Sequence, residues 1–127
     1  MSKTVISTAA APAAIGVYSQ AVRVGNTIWV SGQIPLDPRT GELVSGDIEA
    51  EIRRAFDNLL AIVTAADGTF TQVAKVTVFL TDLVHFPKVN EIMATYFRKP
   101  YPARAAVGVS QLPKGARVEI ECILCLE

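Results

Sequence analysis

The segment between Asp47 and Gly68 most constrains the fold, because its apolar residues recur at steps of three or four. That spacing places them along one face of a helix. Asp47 is suited to cap the N-terminus of this helix, and Gly68 is suited to end it. The sequence therefore predicts an amphipathic helix over 48–66, which must bury its apolar face against another layer. The apolar positions are Ile48, Ile52, Ala55, Phe56, Leu59, Leu60, Val63 and Ala66.

Short runs rich in strand-forming residues lie on both sides of this helix. We predict a hairpin within 22–33, a strand over 73–80, a second helix beginning near Pro87, and strands over 104–109 and 117–126. This order indicates an α+β fold in which two helices pack on one face of a mixed β-sheet. The opposite face of the sheet would stay apolar, which favours association with other subunits.

The size and charge of the chain limit what it can do. A length of 127 residues predicts a single domain over residues 1–127. Lys and Arg number 12, as do Asp and Glu, so no basic surplus is available for a nucleic acid or a membrane surface. No apolar run reaches about 18 residues, and the N-terminus does not resemble a signal peptide. With only two cysteines, the chain is expected to be cytoplasmic.

Several familiar catalytic devices are missing from the sequence. His85 is the only histidine and has no cysteine or histidine cluster beside it, so no metal site is expected. Cys122 and Cys125 form a CxxC pattern, but residues three apart in a strand point to opposite faces, which predicts ordinary packing. No glycine-rich nucleotide-binding loop is present, and Ser31 has no partner histidine to activate it.

Two charged residues in the last strands stand out. Arg104 opens a strand that otherwise holds only Ala, Val and Gly, where an arginine is costly unless it is paired or holds an anion. A guanidinium group binds a carboxylate through two parallel hydrogen bonds. Glu119, expected on the adjacent strand, could orient water or exchange protons. The alternative is that Arg104 and Glu119 form a purely structural salt bridge.

The sequence around these residues resembles the RidA/YjgF family. The match runs in order over almost the whole chain, and its most specific part is Pro-Ala-Arg followed about fifteen residues later by a Val-Glu-Ile strand. The segments that carry the resemblance are Ala13–Ala21, Val30–Pro35, Asp57–Leu59, Val76–Asp82, Pro102–Ala105 and Val118–Glu121.

This resemblance implies a chorismate-mutase-like α+β fold assembled as a homotrimer, with three sites in the clefts between subunits. It also implies hydrolysis of reactive enamines and imines, such as 2-iminobutanoate and 2-iminopropanoate, to 2-oxo acids and ammonia. The small imino or 2-oxo acid would be the partner, and neither a metal nor an organic cofactor would take part. An imine is already electrophilic, so such a protein mainly needs to orient a carboxylate and a water molecule.

The resemblance also implies roles for single residues. Arg104 would clamp the substrate carboxylate, and Glu119 would position or activate water. The residues that would line the cleft are Tyr18, Ser31, Gly32 and Asn90. Ala106 stands where many members of the family have Cys; its backbone could still hold water, but thiol chemistry is out of reach at that position.

Other interpretations of these residues remain open at this point. Tyr18 could be an interface aromatic, Ser31 and Gly32 a strand end, and Asn90 an amide on a helix surface. The chain could bind 2-oxo acids as a non-catalytic regulatory protein, since a site that clamps such an acid need not turn it over. An endoribonuclease is a third hypothesis, against which the zero net charge argues.

Overall fold

The strands and helices follow the predicted order, with one additional short strand at the start. The computed structural model describes residues 2–126, so Met1 and Glu127, the ends of the predicted domain, lie outside the described residues. The strands are β1 Thr4–Ile6, β2 Ala21–Val24, β3 Thr27–Gln33, β4 Val73–Leu80, β5 Ala103–Gly108 and β6 Val118–Cys125. The α-helices are α1 Ile48–Ala65 and α2 Phe86–Tyr96, and short 3-10 turns lie over Phe70–Gln72, Leu83–His85 and Pro113–Gly115.

The strands form one mixed six-stranded sheet in the order β1-β2-β3-β6-β4-β5. All neighbours are antiparallel except β4 and β5, which run parallel because α2 connects them. The expectation that the strands of Arg104 and Glu119 are adjacent is wrong, because β4 lies between β5 and β6. Both β4 and β6 bury every second side chain and occupy the middle of the sheet, whereas the largely exposed β5 forms its edge.

Helix α1 confirms the prediction from the apolar stripe. Asp47 caps it by accepting a hydrogen bond from the backbone N–H of Glu49 at 3.0 Å. The helix ends at Ala65, one residue earlier than predicted, and the left-handed residue after it is Asp67 rather than Gly68. Gly68 serves packing instead, since a Cβ there would lie 2.6 Å from a methyl carbon of Leu124.

Four aromatic rings fix α2 against α1 and the 3-10 turn before β4. Phe56 stacks on Tyr96 with ring centroids 5.0 Å apart, and Phe70 stacks on Phe97 at 4.5 Å. The Tyr96 hydroxyl donates to a carboxylate oxygen of Asp57 at 2.8 Å, which joins the two helices at the edge of the core. These contacts set the position of α2 over the edge of the sheet.

The helices cover only one face of the sheet, as predicted. Alternate residues of the strands point away from the helices, and several of them are large and apolar although exposed. Trp29 is 49% exposed, and in the register of the sheet it lies between Val22 and Ile123. We call this side the open face; its side chains include Val5, Val22, Trp29, Thr77, Phe79, Val107, Glu119, Glu121 and Ile123.

An ion pair joins the first turn of α1 to the start of β6. The Glu51 side chain is only 3% exposed, and its carboxylate accepts from Nε of Arg117 at 3.2 Å and from Nη2 as well. Arg117→Met should lower the free energy of unfolding by about 1–3 kcal/mol, because the Glu51 carboxylate would lose its partner while remaining buried.

Urea unfolding at one fixed protein concentration measures this loss. Arg53→Met is the matched control, since Arg53 pairs with Glu49 on the same helix while both side chains are more than 40% exposed. That control should change the free energy by no more than about 0.5 kcal/mol. An equal loss in the two variants would contradict a special contribution from the buried pair.

Candidate functional site

Arg104 lies on the helix side of the sheet, at its edge. In the register of β4 and β5 it is level with Val76, and its side chain reaches α2. Its Nη1 donates to Oδ1 of Asn90 at 2.8 Å and lies 3.8 Å from the sulfur of Met93. The guanidinium carbon lies 4.8 Å from the ring centroid of Phe86. Among the described residues no carboxylate pairs with Arg104, so its positive charge is available to an anion.

A concave pocket of about 320 Å³ lies in front of this guanidinium group. Its walls combine apolar side chains with one cation and one amide. A site of this composition suits a small carboxylate that carries an apolar substituent. We call it the Arg104 pocket; its lining residues are Asn90, Met93, Ala94, Tyr101, Pro102 and Arg104.

Glu119 lies on the open face. It is level with Phe79 of β4, and its carboxylate occupies the space that a Cβ at position 32 would fill. Gly32 is thus required so that the carboxylate can lie flat against the bulged end of β3. Burial, and secondarily the charge of Glu121 on the same side of β6, raises the pKa of Glu119 above its ordinary value.

Ser31 connects this region to the loop that precedes β2. Its hydroxyl donates to the carbonyl of Ser19 at 2.6 Å, and its backbone N–H donates to the carbonyl of Gln20 at 2.9 Å. The buried Gln20 amide accepts from the N–H of Thr8 at 2.7 Å and donates to the carbonyl of Pro12 at 2.7 Å. Both ends of the loop are therefore anchored, while the Tyr18 ring it carries stays 53% exposed.

A second concavity, of about 360 Å³, lies on the open face beside Ser31. It is shallow and is bounded by the hairpin on one side and by β6 on the other. We call this region, together with Gly32 and Glu119, the Glu119 surface. The residues that line the concavity are Ser19, Ala21, Val22, Trp29, Val30, Ser31, Glu121, Cys122 and Ile123.

The structure does not bring Arg104 and Glu119 together within one chain. They lie on the two strands that flank β4, and their partners on β4 are three residues apart. Their Cα atoms are therefore on the order of 14 Å apart, and their side chains point to opposite faces. A structural salt bridge between them, the alternative left open by the sequence, does not form.

The other predicted site residues divide between these two sides. Asn90 contacts Arg104 directly, and Ala106 is exposed on the same side of β5 two residues further on. Ser31 and Gly32 belong with Glu119. No hydrogen bond among the described residues joins Tyr18 to either group.

The sequence patterns singled out neither Phe86 nor Met93 as part of the environment of Arg104. The spacing of residues 86, 90 and 93 could have indicated this environment, because steps of four and three place all three side chains on one face of α2. Glu121 lies two residues from Glu119 in the same strand, but its effect on the pKa of Glu119 needed the structure.

The remaining candidate chemistry is consistent with packing. Cys122 is buried on the helix side, which raises the pKa of its thiol to about 12, whereas Cys125 is exposed on the other side and both thiols are free. Within residues 2–126 no three metal-ligating side chains come together. His85 ends the turn before α2 and makes no capping hydrogen bond. No described helix is both long and apolar enough to cross a membrane.

A family model described as endoribonuclease L-PSP, which represents the RidA/YjgF proteins, matches residues 8–125. The chain belongs to the RidA/YjgF family. Its curated relatives in this family include the 2-iminobutanoate/2-iminopropanoate deaminase of Rattus norvegicus, 55% identical over 121 residues that cover 95% of this chain and 88% of the relative. A RutC family protein of Pyrococcus abyssi is 51% identical over 97% of both chains.

Solved structures of RidA/YjgF proteins share the fold described above. The crystal structure of RidA from a Psychrobacter species superposes with a TM-score of 0.93 at 50% identity, over 97% of this chain and 99% of that chain. Escherichia coli TdcF with bound serine superposes with a TM-score of 0.92 at 40% identity, over 98% and 99%. The mixed sheet with two helices predicted from the sequence is thus the fold of the family.

Removing the charge of Glu119 should stabilise this RidA/YjgF protein at neutral pH. Because the pKa of Glu119 is raised in the folded state, that state holds its proton more tightly than the unfolded chain. The wild type therefore loses stability as the pH rises through the interval between the unfolded and the folded pKa. Glu119→Gln should remove that loss, which amounts to less than about 1 kcal/mol at a half-buried, solvent-screened position.

Unfolding in urea at pH 4 and pH 7 checks this expectation. The advantage of Glu119→Gln should be larger at pH 7 than at pH 4. Glu42→Gln, which removes an exposed carboxylate between β3 and α1, serves as the control for the loss of a surface charge and should change the free energy of unfolding by no more than about 0.5 kcal/mol. A Glu119→Gln variant that is less stable than the wild type at pH 7 would overturn the argument.

Proposed function

We propose that this chain is a deaminase that hydrolyses 2-imino acids, such as 2-iminobutanoate and 2-iminopropanoate, and their enamine forms to 2-oxo acids and ammonia. The observation that carries the proposal is the Arg104 guanidinium group, which has no carboxylate partner among the described residues and borders a pocket that also has apolar walls. Support also comes from full-length relatives in mammals and a mite, 49–55% identical, that carry the name of this deaminase.

In the proposed reaction Arg104 binds the substrate carboxylate through two parallel hydrogen bonds and fixes the position of C2. Water attacks C2, its oxygen forms the new bond, and the π electrons of the C=N bond move to nitrogen. Glu119 accepts a proton from the attacking water and passes it to the nitrogen, which gives a carbinolamine. Glu119 then transfers the hydroxyl proton to the nitrogen as well, so that the C–N bond breaks, ammonia leaves and the oxygen forms the C=O bond of the 2-oxo acid. A carboxyl group with a raised pKa exchanges protons more readily near neutral pH.

The site requires two subunits in this proposal. Arg104 and Glu119 point to opposite sides of one sheet, so a single chain cannot apply both to one substrate. A neighbouring copy would bring its Glu119 surface, with Ser31, Gly32 and the exposed Tyr18 ring, against the Arg104 pocket. The homotrimer and the chorismate-mutase-like arrangement implied by the family provide three such clefts, and the exposed apolar residues of the open face support burial between subunits.

Ala106 and Asn90 complete the arginine side of the proposed cleft. Asn90 holds Nη1 of Arg104, and the backbone at Ala106, exposed beside it, would hold the attacking water. We further propose that residues 1–127 act as one domain, which one continuous core cluster supports. The two free thiols support a location in the cytoplasm, where cysteines stay reduced.

Non-catalytic binding of small acids is the second candidate. One observation favours it, namely that the structural relative TdcF holds bound serine. An endoribonuclease, despite the description of the family model, is less well supported: Lys and Arg do not outnumber Asp and Glu, and Glu119 and Glu121 place negative charge on the open face.

Arg104→Ala should lower kcat/KM for 2-iminobutanoate by about 30- to 5000-fold, the loss expected for a desolvated contact between a guanidinium group and a carboxylate. Arg104→Lys should fall between Ala and wild type, because it keeps the charge but loses the two-pronged contact. A threonine dehydratase generates the imine, semicarbazide traps it, and release of 2-oxobutanoate is followed with and without the protein.

Arg98→Ala is the matched control, because this exposed arginine lies just beyond α2 and does not line the Arg104 pocket. Wild-type protein that does not accelerate the hydrolysis, or an Arg104→Ala variant with full activity, would refute the proposed deaminase. Saturable binding of 2-oxobutanoate without acceleration would instead favour the non-catalytic candidate.

Complementation tests whether the site is shared between subunits. Arg104→Ala and Glu119→Gln should each be strongly impaired alone. In oligomers formed randomly from equal amounts of both variants, a shared site receives an intact arginine from one chain and an intact glutamate from another in about one quarter of cases. Activity should therefore recover to about a quarter of the wild-type value.

The variants are unfolded together and refolded, and light scattering then measures the mass of the product. The same treatment of each variant alone is the control. If the mixture is no more active than the two variants measured separately, each site lies within one chain and the shared site is wrong.

A further inference from the structure

We infer that Phe86 is a positioning residue for Arg104, and that its ring controls how tightly the site holds a carboxylate. The inference rests on the proposed function for its consequence in catalysis, but not for its geometry. Phe86 belongs to none of the groups that the sequence assigned to the site, and its ring contacts the guanidinium group rather than the substrate.

The first observation is the way in which α2 holds the arginine. Phe86, Asn90 and Met93 share one face of the helix and meet the guanidinium group through a ring face, an amide oxygen and a thioether sulfur. The aromatic ring lies 4.8 Å from Cζ, within the range of a cation–π interaction. All three groups are neutral, so they hold the arginine without neutralising its charge.

A comparison with Arg117 shows why it matters that the groups holding Arg104 are neutral. Arg117 is fixed by the carboxylate of Glu51, and this ion pair neutralises the positive charge that could otherwise bind an anion. Arg104 is instead fixed by a ring on its face and by an amide at Nη1. Among the described residues Nε and Nη2 have no hydrogen-bond acceptor, which leaves them for the two oxygens of a substrate carboxylate.

The position of Phe86 is itself determined locally. Asp82 caps the 3-10 turn before α2, with its carboxylate accepting from the N–H of Val84 at 3.0 Å. Phe86 follows this turn as the first residue of α2, and Pro87 is suited to the first helical turn. The ring is therefore fixed at the helix start and is half-buried against the core, rather than free to move with the arginine.

A long side chain such as arginine loses rotamer freedom when it binds a ligand, and a site in which that freedom is already lost binds more tightly. Removing the π face should therefore release the guanidinium group and weaken carboxylate binding. Because the carboxylate is held in the ground state and in the transition state alike, the change should raise KM with little change in kcat.

The test compares Phe86→Leu, which loses the π face, with Phe86→Tyr, which keeps it. The Kd of 2-oxobutanoate measured by calorimetry should rise about 3- to 30-fold in Phe86→Leu and stay within about twofold of wild type in Phe86→Tyr. Ile28→Val is the packing control, because this fully buried side chain lies on β3, three strands away from Arg104 on β5; it should cost stability without raising Kd. Unfolding curves and light scattering establish that each variant is folded and assembled.

The outcomes separate this inference from the proposed deaminase. If the wild type binds 2-oxobutanoate with the expected dependence on Phe86 but hydrolyses no imine, the deaminase fails and the positioning role stands. If Phe86→Leu binds as tightly as wild type, or Ile28→Val weakens binding equally, the positioning role is overturned. If the wild type binds no 2-oxobutanoate, the NMR signal of the Arg104 Nε–H group tests the contact directly. This signal should shift downfield in Phe86→Leu, because the ring current of Phe86 is lost. An unchanged signal refutes the inference.

Discussion

The alternation of side chains along a strand is the constraint on which the rest of this structure depends. With both helices on one face of the sheet, every strand residue is assigned either to the core side or to the open face. Arg104, level with Val76, goes to the side of α2, whereas Glu119, next to the buried Val118, goes to the other side. If both charged groups act on one substrate, as proposed, a monomer with them on opposite faces supplies only half of each site.

Each of the two charged groups is held in a state that suits its proposed role. On the helix side, neutral contacts orient a guanidinium group that retains its charge. On the open face, burial and a neighbouring carboxylate keep a proton on Glu119 to a higher pH than usual. The raised pKa of Glu119 means that its negative charge costs folding stability, which is typical of groups that serve binding or catalysis rather than the fold. The buried pair of Glu51 and Arg117 stabilises the link between α1 and β6 close by.

The sequence predicted those parts of the fold that depend on local periodicity. The stripe of α1, its cap at Asp47 and the alternation over 73–80 are all found in the structure. Strand β1 was missed because three residues are too few to show an alternating pattern. The prediction that β5 and β6 are adjacent was wrong because strand pairing depends on contacts between residues distant in sequence. Arg104 and Glu119 could be identified as candidate site residues from the sequence motif and from their charge. Phe86 was not identified, since only the crossing of α2 over the sheet edge brings its ring to Arg104.

The hydrogen bonds of the Gln20 side chain have a consequence for how the proposed trimer assembles. Its side chain makes four hydrogen bonds to the backbone at Thr8, Ala11 and Pro12, so both ends of the loop bearing Tyr18 are fixed by contacts within one chain. Subunits that meet with this loop in place dock as rigid bodies, without the entropy cost of folding on contact. Association should then follow simple collision kinetics, with no slow unimolecular step after encounter.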